Sequence, residues 1–364
     1  MPPSLSNLFP TFPTLSHIPL HSPHYLTFPY ICPMRRNLPD IDTFVHGIRS
    51  ADRALLGQAI TLVESTREER QVMAREIISR LHTNLPDNTF RIAVTGAPGV
   101  GKSTFIEALG MHLIQQGKRV AVLAIDPSSA MSGGSILGDK TRMERLSATE
   151  LAFIRPSPSG DSLGGVARKT REAMVLVEAA GFDTVIVETV GVGQSEIAAQ
   201  RMTDLFLLLL LPGAGDELQG IKRGIVEMAD LLVVNKSDGD RIKVANQARA
   251  HYLNATHLLP LKSSGWPPEV LSCSALENMG VAEVWDRMEA FKKHIQTNGW
   301  MAENRRQQAR FWLEDTLEAG IKDLFYQHPE VKARLEALEP EVLSGRVSAI
   351  DAAMQVLAAF RKGV

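Results

Sequence analysis

The feature that most constrains the fold of this chain is a glycine-rich stretch between an apolar run and a helical pattern. Residues 96–103 read GAPGVGKS and match the pattern G-x-x-x-x-G-K-[ST]. The preceding residues 91–95 predict a β-strand, and residues 105–109 predict the first turns of a helix. A loop in this setting turns successive N–H groups toward a phosphate at the positive end of the helix. The sequence therefore predicts a triphosphate-binding α/β fold.

Every residue of this loop is a candidate phosphate ligand. Lys102 would reach the β and γ phosphates, and the hydroxyl of Ser103 would bind Mg²⁺. The rest of the loop would surround the phosphates and consists of Gly96, Ala97, Pro98, Gly99, Val100, Gly101 and Thr104.

Apolar runs alternate with helical patterns between residue 91 and about residue 275. The clearest predicted strands after residues 91–95 are residues 120–125, 184–188, 205–211 and 231–234. Such alternation is typical of a mostly parallel central sheet flanked by helices. The predicted class is thus a P-loop NTPase of the α/β type, with helical extensions at both ends. The longest apolar run, residues 205–211, is too short to span a bilayer.

Four segments are predicted along the chain. Residues 1–33 hold no charged side chain and eight of the 20 prolines, so we expect disorder or an over-extended start before Met34. Two helices are expected in residues 34–88, with Ser65 and Glu68 forming a capping box at the second. Residues 89–290 form the P-loop domain, and residues 291–364 form a helical C-terminal segment.

A stripe of large apolar side chains lies in the C-terminal segment at helical spacing. Its members are Leu313, Leu317, Ile321 and Leu324. Stripes of this kind more often face the core of their own chain than a partner. We therefore expect these residues to be buried within the chain.

Composition excludes several classes of protein. The net charge of −2 leaves no excess of positive charge for binding nucleic acid or an anionic membrane surface. The two cysteines, Cys32 and Cys273, are too few for a disulfide framework or a cysteine-rich metal site. This fits a reducing compartment such as the cytoplasm.

A second motif predicts that the base is guanine. Residues 235–238 read NKSD and follow the predicted strand 231–234. The carboxylate of Asp238 can accept hydrogen bonds from N1–H and the amino group of guanine, a donor pair that adenine lacks. Lys236 would lie along the base, and Asn235 would join this loop to the phosphate loop. A backbone N–H from Ser274, Ala275 or Leu276 would meet the guanine O6.

Carboxylates at strand ends predict the magnesium site. Glu188 ends the predicted strand 184–188, and Asp126 ends the strand 120–125 in the same way, while Asp139 follows a serine- and glycine-rich loop. With Ser103, these are the candidate ligands. Loops 127–135, 156–165 and 212–222 are candidates for segments that respond to the nucleotide.

Taken together, these motifs resemble the methylmalonyl-CoA mutase-associated GTPases, a branch of the metallochaperone-like GTPases. The resemblance covers about residues 40–362. It rests on residues 96–104, 126–129, 138–143, 155–158, 163–165, 188–196, 212–216 and 235–238.

The resemblance implies a homodimeric GTP hydrolase that serves as chaperone for an adenosylcobalamin-dependent acyl-CoA mutase, with methylmalonyl-CoA mutase as the default partner. It implies dimerisation through residues 291–364 and a catalytic set of Lys102, Asp139, Glu188 and Lys222. Lys222 would offset charge on the transferring phosphoryl group. Mg²⁺ is the implied cofactor, and no residue of this chain is identified as a cobalamin ligand. Residues 1–33 do not look like a mitochondrial presequence, so we expect a cytoplasmic protein.

Two other functions share parts of this pattern. A nickel-insertion GTPase chaperone would have the same architecture but would need cysteine or histidine ligands near the nucleotide. A kinase of a transport protein is the older description of the family, and guanine selectivity argues against it.

Overall fold

The computed structural model describes residues 38–125, 143–156, 163–189, 195–213 and 223–363. Residues 40–364 form one compact unit. Within the described ranges, no helix has both the length and the apolar character needed to cross a membrane.

Seven strands form a single sheet in which every neighbouring pair runs parallel. The strands are β1 (Phe90–Gly96), β2 (Val120–Ile125), β3 (Ala152–Arg155), β4 (Thr184–Thr189), β5 (Leu205–Leu210), β6 (Leu231–Val234) and β7 (Glu269–Ser272). Their order across the sheet is β3-β2-β4-β1-β5-β6-β7. The strands β3 and β7 were not among the strands that the apolar runs predicted, because their four residues include polar side chains, Arg155 in β3 and Glu269 and Ser272 in β7.

Helices cover both faces of the sheet, and further helices precede its first strand and follow its last strand in the sequence. Those up to the sixth strand are α1 (Ile41–Arg49), α2 (Arg53–Glu64), α3 (Glu68–His82), α4 (Lys102–Gln115), α5 (Glu144–Ser147), α6 (Leu163–Ala179), α7 (Ser195–Gln200) and α8 (Arg223–Met228). The later ones are α9 (Ile242–Thr256), α10 (Val281–Thr297), α11 (Trp300–Gln327), α12 (Pro329–Leu343) and α13 (Ala349–Gly363).

Alternate side chains of each strand enter two separate cores. Ile92 and Val94 of β1 pack with residues of α4 and α10 on one face. Ala93 packs on the opposite face with residues of α1, α2, α3 and α6. This two-residue alternation is the geometry of a pleated strand that is covered on both sides. The N-terminal helices are therefore part of the main core.

The prediction of two helices before the first strand was wrong, because the structure has three. The chain turns at Ala51, whose φ is 62°, and the side chain of Asp52 accepts hydrogen bonds from the N–H groups of Ala54 and Leu55 to start α2. The predicted capping box is also absent from this described segment: Ser65 ends α2, and Arg67 occupies the N-cap of α3.

The expectation that the C-terminal stripe is buried was wrong. Its four members are between 57% and 69% exposed. The first half of α11 lies against the main unit, where Met301 and Gln308 are buried. The second half carries the stripe beyond that contact, so helical spacing predicted an apolar face but not what covers it.

The predicted boundary at residue 290 falls inside α10. The buried side chains of this helix, from Val284 to Ile295, belong to the same core as α4. The helices that follow, from Trp300 onward, include a small separate core between α12 and α13 made by Val331, Leu338, Ala352 and Val356.

Candidate nucleotide-binding site

Two glycines give the phosphate loop its shape. Gly96 has φ of 148°, and a Cβ there would lie 2.5 Å from the carbonyl oxygen of Leu209 in β5. Gly101 has φ of 94°, and a Cβ there would lie 2.8 Å from Nδ2 of Asn235. Other residues would be strained at these φ values and would collide with these neighbours. No side chain among the described residues caps the N-terminus of α4 after Gly101, so its first N–H groups suit an anion.

The side chain of Lys102 lies across this loop. Its ammonium group donates to the carbonyl oxygen of Gly96 at 2.7 Å and of Ala97 at 3.3 Å. Lys102 is therefore held over the turn where the phosphates of a nucleotide would lie. A fixed positive charge at this point offsets the negative charge of the β and γ phosphates.

Ser103 and Glu188 come together although they are 85 positions apart. The hydroxyl of Ser103 donates to Oε1 of Glu188 at 3.0 Å. Ser103 lies in the first turn of α4, and Glu188 lies near the carboxyl end of β4, the strand next to β1. Hydroxyl and carboxylate oxygens are hard ligands of the kind that Mg²⁺ prefers.

Asn235 joins the predicted base loop to the phosphate loop. Its side chain is 1% exposed, and its Nδ2 donates to the carbonyl oxygen of Val100 at 2.9 Å. Its Oδ1 accepts from the N–H of Ala275 at 3.1 Å and from the thiol of Cys273 at 3.5 Å. The amide therefore links three segments that are far apart in the sequence.

Lys236 and Asp238 contact the same two segments that Asn235 links to the base loop. The Lys236 ammonium donates to the carbonyl oxygen of Gly99 at 2.7 Å, so its chain extends over the phosphate loop. Oδ2 of Asp238 accepts from the hydroxyl of Ser274 at 2.5 Å. That bond orients the carboxylate that we predict to read guanine.

The turn at residues 274–276 offers one N–H to a ligand. The N–H of Ser274 donates to the carbonyl oxygen of Met279, and the N–H of Ala275 donates to Asn235. Within this described turn, that leaves the N–H of Leu276 as the one that fits the predicted contact with the guanine O6. The sequence had not distinguished among the three.

Cys273 is a supporting residue whose role sequence reasoning missed. Burial raises the pKa of its thiol to about 12, so the thiol stays protonated and can donate to Asn235. Its place directly after β7 and before Ser274 is the sequence signal that could have shown this.

Three predicted site residues lie outside the described residues: Asp126, Asp139 and Lys222. The same is true of loop 127–135 and of most of the other two candidate loops. Among the described site residues, those of the phosphate loop, Glu188 and the base loop meet at one edge of the sheet, the carboxyl ends of its parallel strands.

Comparisons with known proteins agree on one family. A profile of the family described as methylmalonyl-CoA mutase-associated GTPase MeaB matches residues 56–330. A putative GTPase of Caulobacter vibrioides is 52% identical over 321 residues, which are 88% of this chain and 98% of the relative. The mitochondrial methylmalonic aciduria type A homolog of Mus musculus is 46% identical over 330 residues, covering 88% of this chain and 80% of the relative.

A solved structure gives the same result for the fold. The crystal structure described as LAO/AO transport system kinase superposes with a TM-score of 0.69 at 37% identity, over 89% of this chain and all of the other. This likeness, with the parallel sheet and its flanking helices, confirms the predicted fold class.

Proposed function

Since this chain belongs to the methylmalonyl-CoA mutase-associated GTPase family and is a GTP hydrolase, we propose that its GTP hydrolysis serves an adenosylcobalamin-dependent acyl-CoA mutase. The chain would act as a chaperone that controls loading and protection of the mutase cofactor. Methylmalonyl-CoA mutase is the first candidate, because the family description names it. The observation that carries the proposal is this family match over most of the chain.

The described geometry supports a reaction that depends on positioning. Lys102 and the loop backbone would hold the β and γ phosphates, and the link through Asn235 would keep the base loop in a fixed relation to them. The oxygens of Ser103 and Glu188 suit Mg²⁺, and we propose them as its ligands together with Asp126 and Asp139. When bound, Mg²⁺ would neutralise charge that develops on the phosphates.

Lys222 and Asp139 are proposed as the residues through which the mutase controls the rate. A lysine that enters the site only in the complex would stabilise the transferring phosphoryl group there and not in the free enzyme. Hydrolysis would then be slow without the mutase and fast with it.

We propose a homodimer as the assembly. Support comes from the exposed apolar stripe on the second half of α11, whose members are 57% to 69% exposed. Neighbouring apolar side chains that are exposed together often mark a surface that another protein chain covers. A cytoplasmic location stays a prediction from the sequence alone.

The test is GTP turnover by the full chain with and without a methylmalonyl-CoA mutase from the same source. We expect slow turnover with GTP, little with ATP, and a severalfold or larger increase on adding the mutase. GTP turnover that does not respond to the mutase would contradict the chaperone role but leave the GTPase activity in place. A mutase-stimulated release of phosphate with ATP equal to that with GTP would contradict the guanine site.

In the same assay, Lys222→Ala is expected to lower the mutase-stimulated rate much more than the free rate. Lys243→Ala, on the exposed face of α9, is the matched control. A stimulated rate that is unchanged in Lys222→Ala would remove Lys222 from the mechanism.

One alternative keeps a specific observation in its favour. The solved structure with 37% identity is described as a transport system kinase. A kinase would transfer the γ-phosphoryl group of GTP to a protein, whereas a GTPase transfers it to water. Release of inorganic phosphate in amounts equal to the GTP consumed would therefore favour the GTPase role over the kinase role.

A further inference from the structure

Among the described residues, the backbone pairing of β1 with β4 ends just below the candidate site. The paired residues of these strands run from Phe90 opposite Thr184 to Val94 opposite Glu188. Beyond that point, β1 remains paired with β5 through Gly96, and β4 remains paired with β2 through Thr189. β1 leads into the phosphate loop and β4 carries Glu188, and in the described part of the chain their backbone pairing stops at Val94 and Glu188.

A side-chain hydrogen bond joins the two strands one residue further along. The hydroxyl of Thr189 donates to the hydroxyl of Thr95 at 2.8 Å, and both residues are 1% exposed. Thr95 directly precedes Gly96, and Thr189 directly follows Glu188. Both side chains are β-branched and so have few rotamers, which favours a bond of fixed length. The contact therefore continues the strand pairing by one residue where the backbone no longer does so.

The two faces of β4 have different partners at this level. Glu188 points to the face that α4 covers, where it accepts from Ser103. Thr189 points to the opposite face, since successive side chains of a strand alternate. The hydrogen bond between Thr189 and Thr95 thus holds the end of β4 on one face of the sheet, while Glu188 faces the candidate magnesium site on the other.

We propose that Thr95 and Thr189 are positioning residues for GTP hydrolysis. Their bond sets the separation between the phosphate loop and Glu188, and hence the contact between Ser103 and Glu188. Displacements of about 1 Å in such a site can cost up to a hundredfold in rate. The guanine loops are held separately through Asn235, so nucleotide affinity depends much less on this bond.

The experiment measures GTP turnover as a function of GTP and Mg²⁺ concentration in the full chain, without mutase. Thr95→Val and Thr189→Val keep the shape of the side chain and remove one hydroxyl. We expect kcat to fall about tenfold, the rate equivalent of one buried hydrogen bond. We expect the Mg²⁺ concentration that gives half of the maximal rate to rise severalfold. KM for GTP should stay within about twofold of the parent value, because the base is held separately through Asn235.

The matched control is Thr184→Val. Thr184 lies at the other end of the same strand, is 2% exposed, and also donates a hydrogen bond, to Asp183 at 3.0 Å. This variant is expected to keep the parent kcat and Mg²⁺ dependence. Thermal melting of each variant separates a loss of stability from a loss of positioning. If Thr95 and Thr189 had only a structural role, Thr184→Val would lose as much rate as their valine variants for the same fall in Tm.

Two more variants complete the test. Thr189→Ser keeps the hydroxyl and is expected to retain most of the parent rate. Thr95→Val combined with Thr189→Val leaves no buried hydroxyl without its partner. The double variant should lose no more rate than either single variant, because the single and double variants all remove the same hydrogen bond. The proposal is overturned if the losses multiply, if serine is as impaired as valine, or if the valine variants behave like Thr184→Val. Since no mutase is present, such a failure would leave the proposed chaperone role untouched.

Discussion

At the scale of single residues, the site depends on buried polar groups whose partners lie far away in the sequence. Asn235 is the clearest case, since its one amide contacts the phosphate loop at Val100 and the turn at Ala275. A buried amide without these partners would be destabilising. The same contacts that satisfy Asn235 therefore hold the loops for the base and the phosphates in one arrangement.

Asp238 gives a prediction at this scale. Asp238→Asn removes a carboxylate that would accept two hydrogen bonds from guanine, each worth about 1.5–3 kcal/mol. We expect KM for GTP to rise roughly 100-fold or more. The amide of Asn can donate to the oxygen that xanthine carries in place of the guanine amino group, so xanthosine triphosphate should become the better substrate.

The control for this change is Asp240→Asn. Asp240 is exposed and lies two residues further along the chain. Its variant should keep the parent KM for GTP. If Asp238→Asn bound GTP as well as the parent does, the carboxylate would not be the base-reading group.

At the scale of elements, α11 is anchored to the main unit by its first half. The guanidinium of Arg305 donates to both oxygens of Asp204 at 2.9 and 2.7 Å and to the carbonyl oxygen of Thr89 at 2.6 Å. The carboxylate of Asp204 is fully buried, and it also accepts from the N–H of Arg91. Bidentate pairs of this kind fix orientation as well as distance. The first half of the helix that carries the exposed stripe is therefore held in a fixed orientation on the main unit.

This anchor predicts a large difference between two adjacent arginines. Arg305→Gln leaves the buried carboxylate of Asp204 without its charged partner and should lower the free energy of unfolding by about 3 kcal/mol. Arg306→Gln removes only an exposed pair with Glu303 and should change it by less than about 0.5 kcal/mol. Urea denaturation of both variants measures the difference, and equal stabilities would show that α11 is held in another way.

At the scale of the whole molecule, the C-terminal helices carry apolar surface that the described part of the chain does not cover. Besides the stripe, Leu343 is 81% exposed, Ile350 77% and Met354 60%. A groove of about 710 Å³ lies between the end of α11, α12 and α13. In the proposed homodimer, a second copy of the chain covers the stripe.

The dimer gives a prediction at this scale. Leu317→Glu combined with Ile321→Glu places two charges in the stripe, and burying a charge without a partner is strongly unfavourable. We expect the parent chain to sediment as a dimer and this variant as a monomer with the parent rate of mutase-free GTP turnover. Leu258→Glu is the control, because Leu258 is 87% exposed and lies outside the stripe. A dimeric double variant would place the interface elsewhere.

The sequence by itself determined the fold class, the phosphate loop and the strands of the sheet centre. These features are local, since a glycine at positive φ or an apolar run before a turn depends on neighbouring residues. The exposure of the stripe at Leu313–Leu324 and the pairing of Thr95 with Thr189 were decided only by the tertiary structure. Periodicity predicts that a helix has an apolar face but not what covers it. Partners 94 positions apart meet only because β4 lies beside β1 in the sheet.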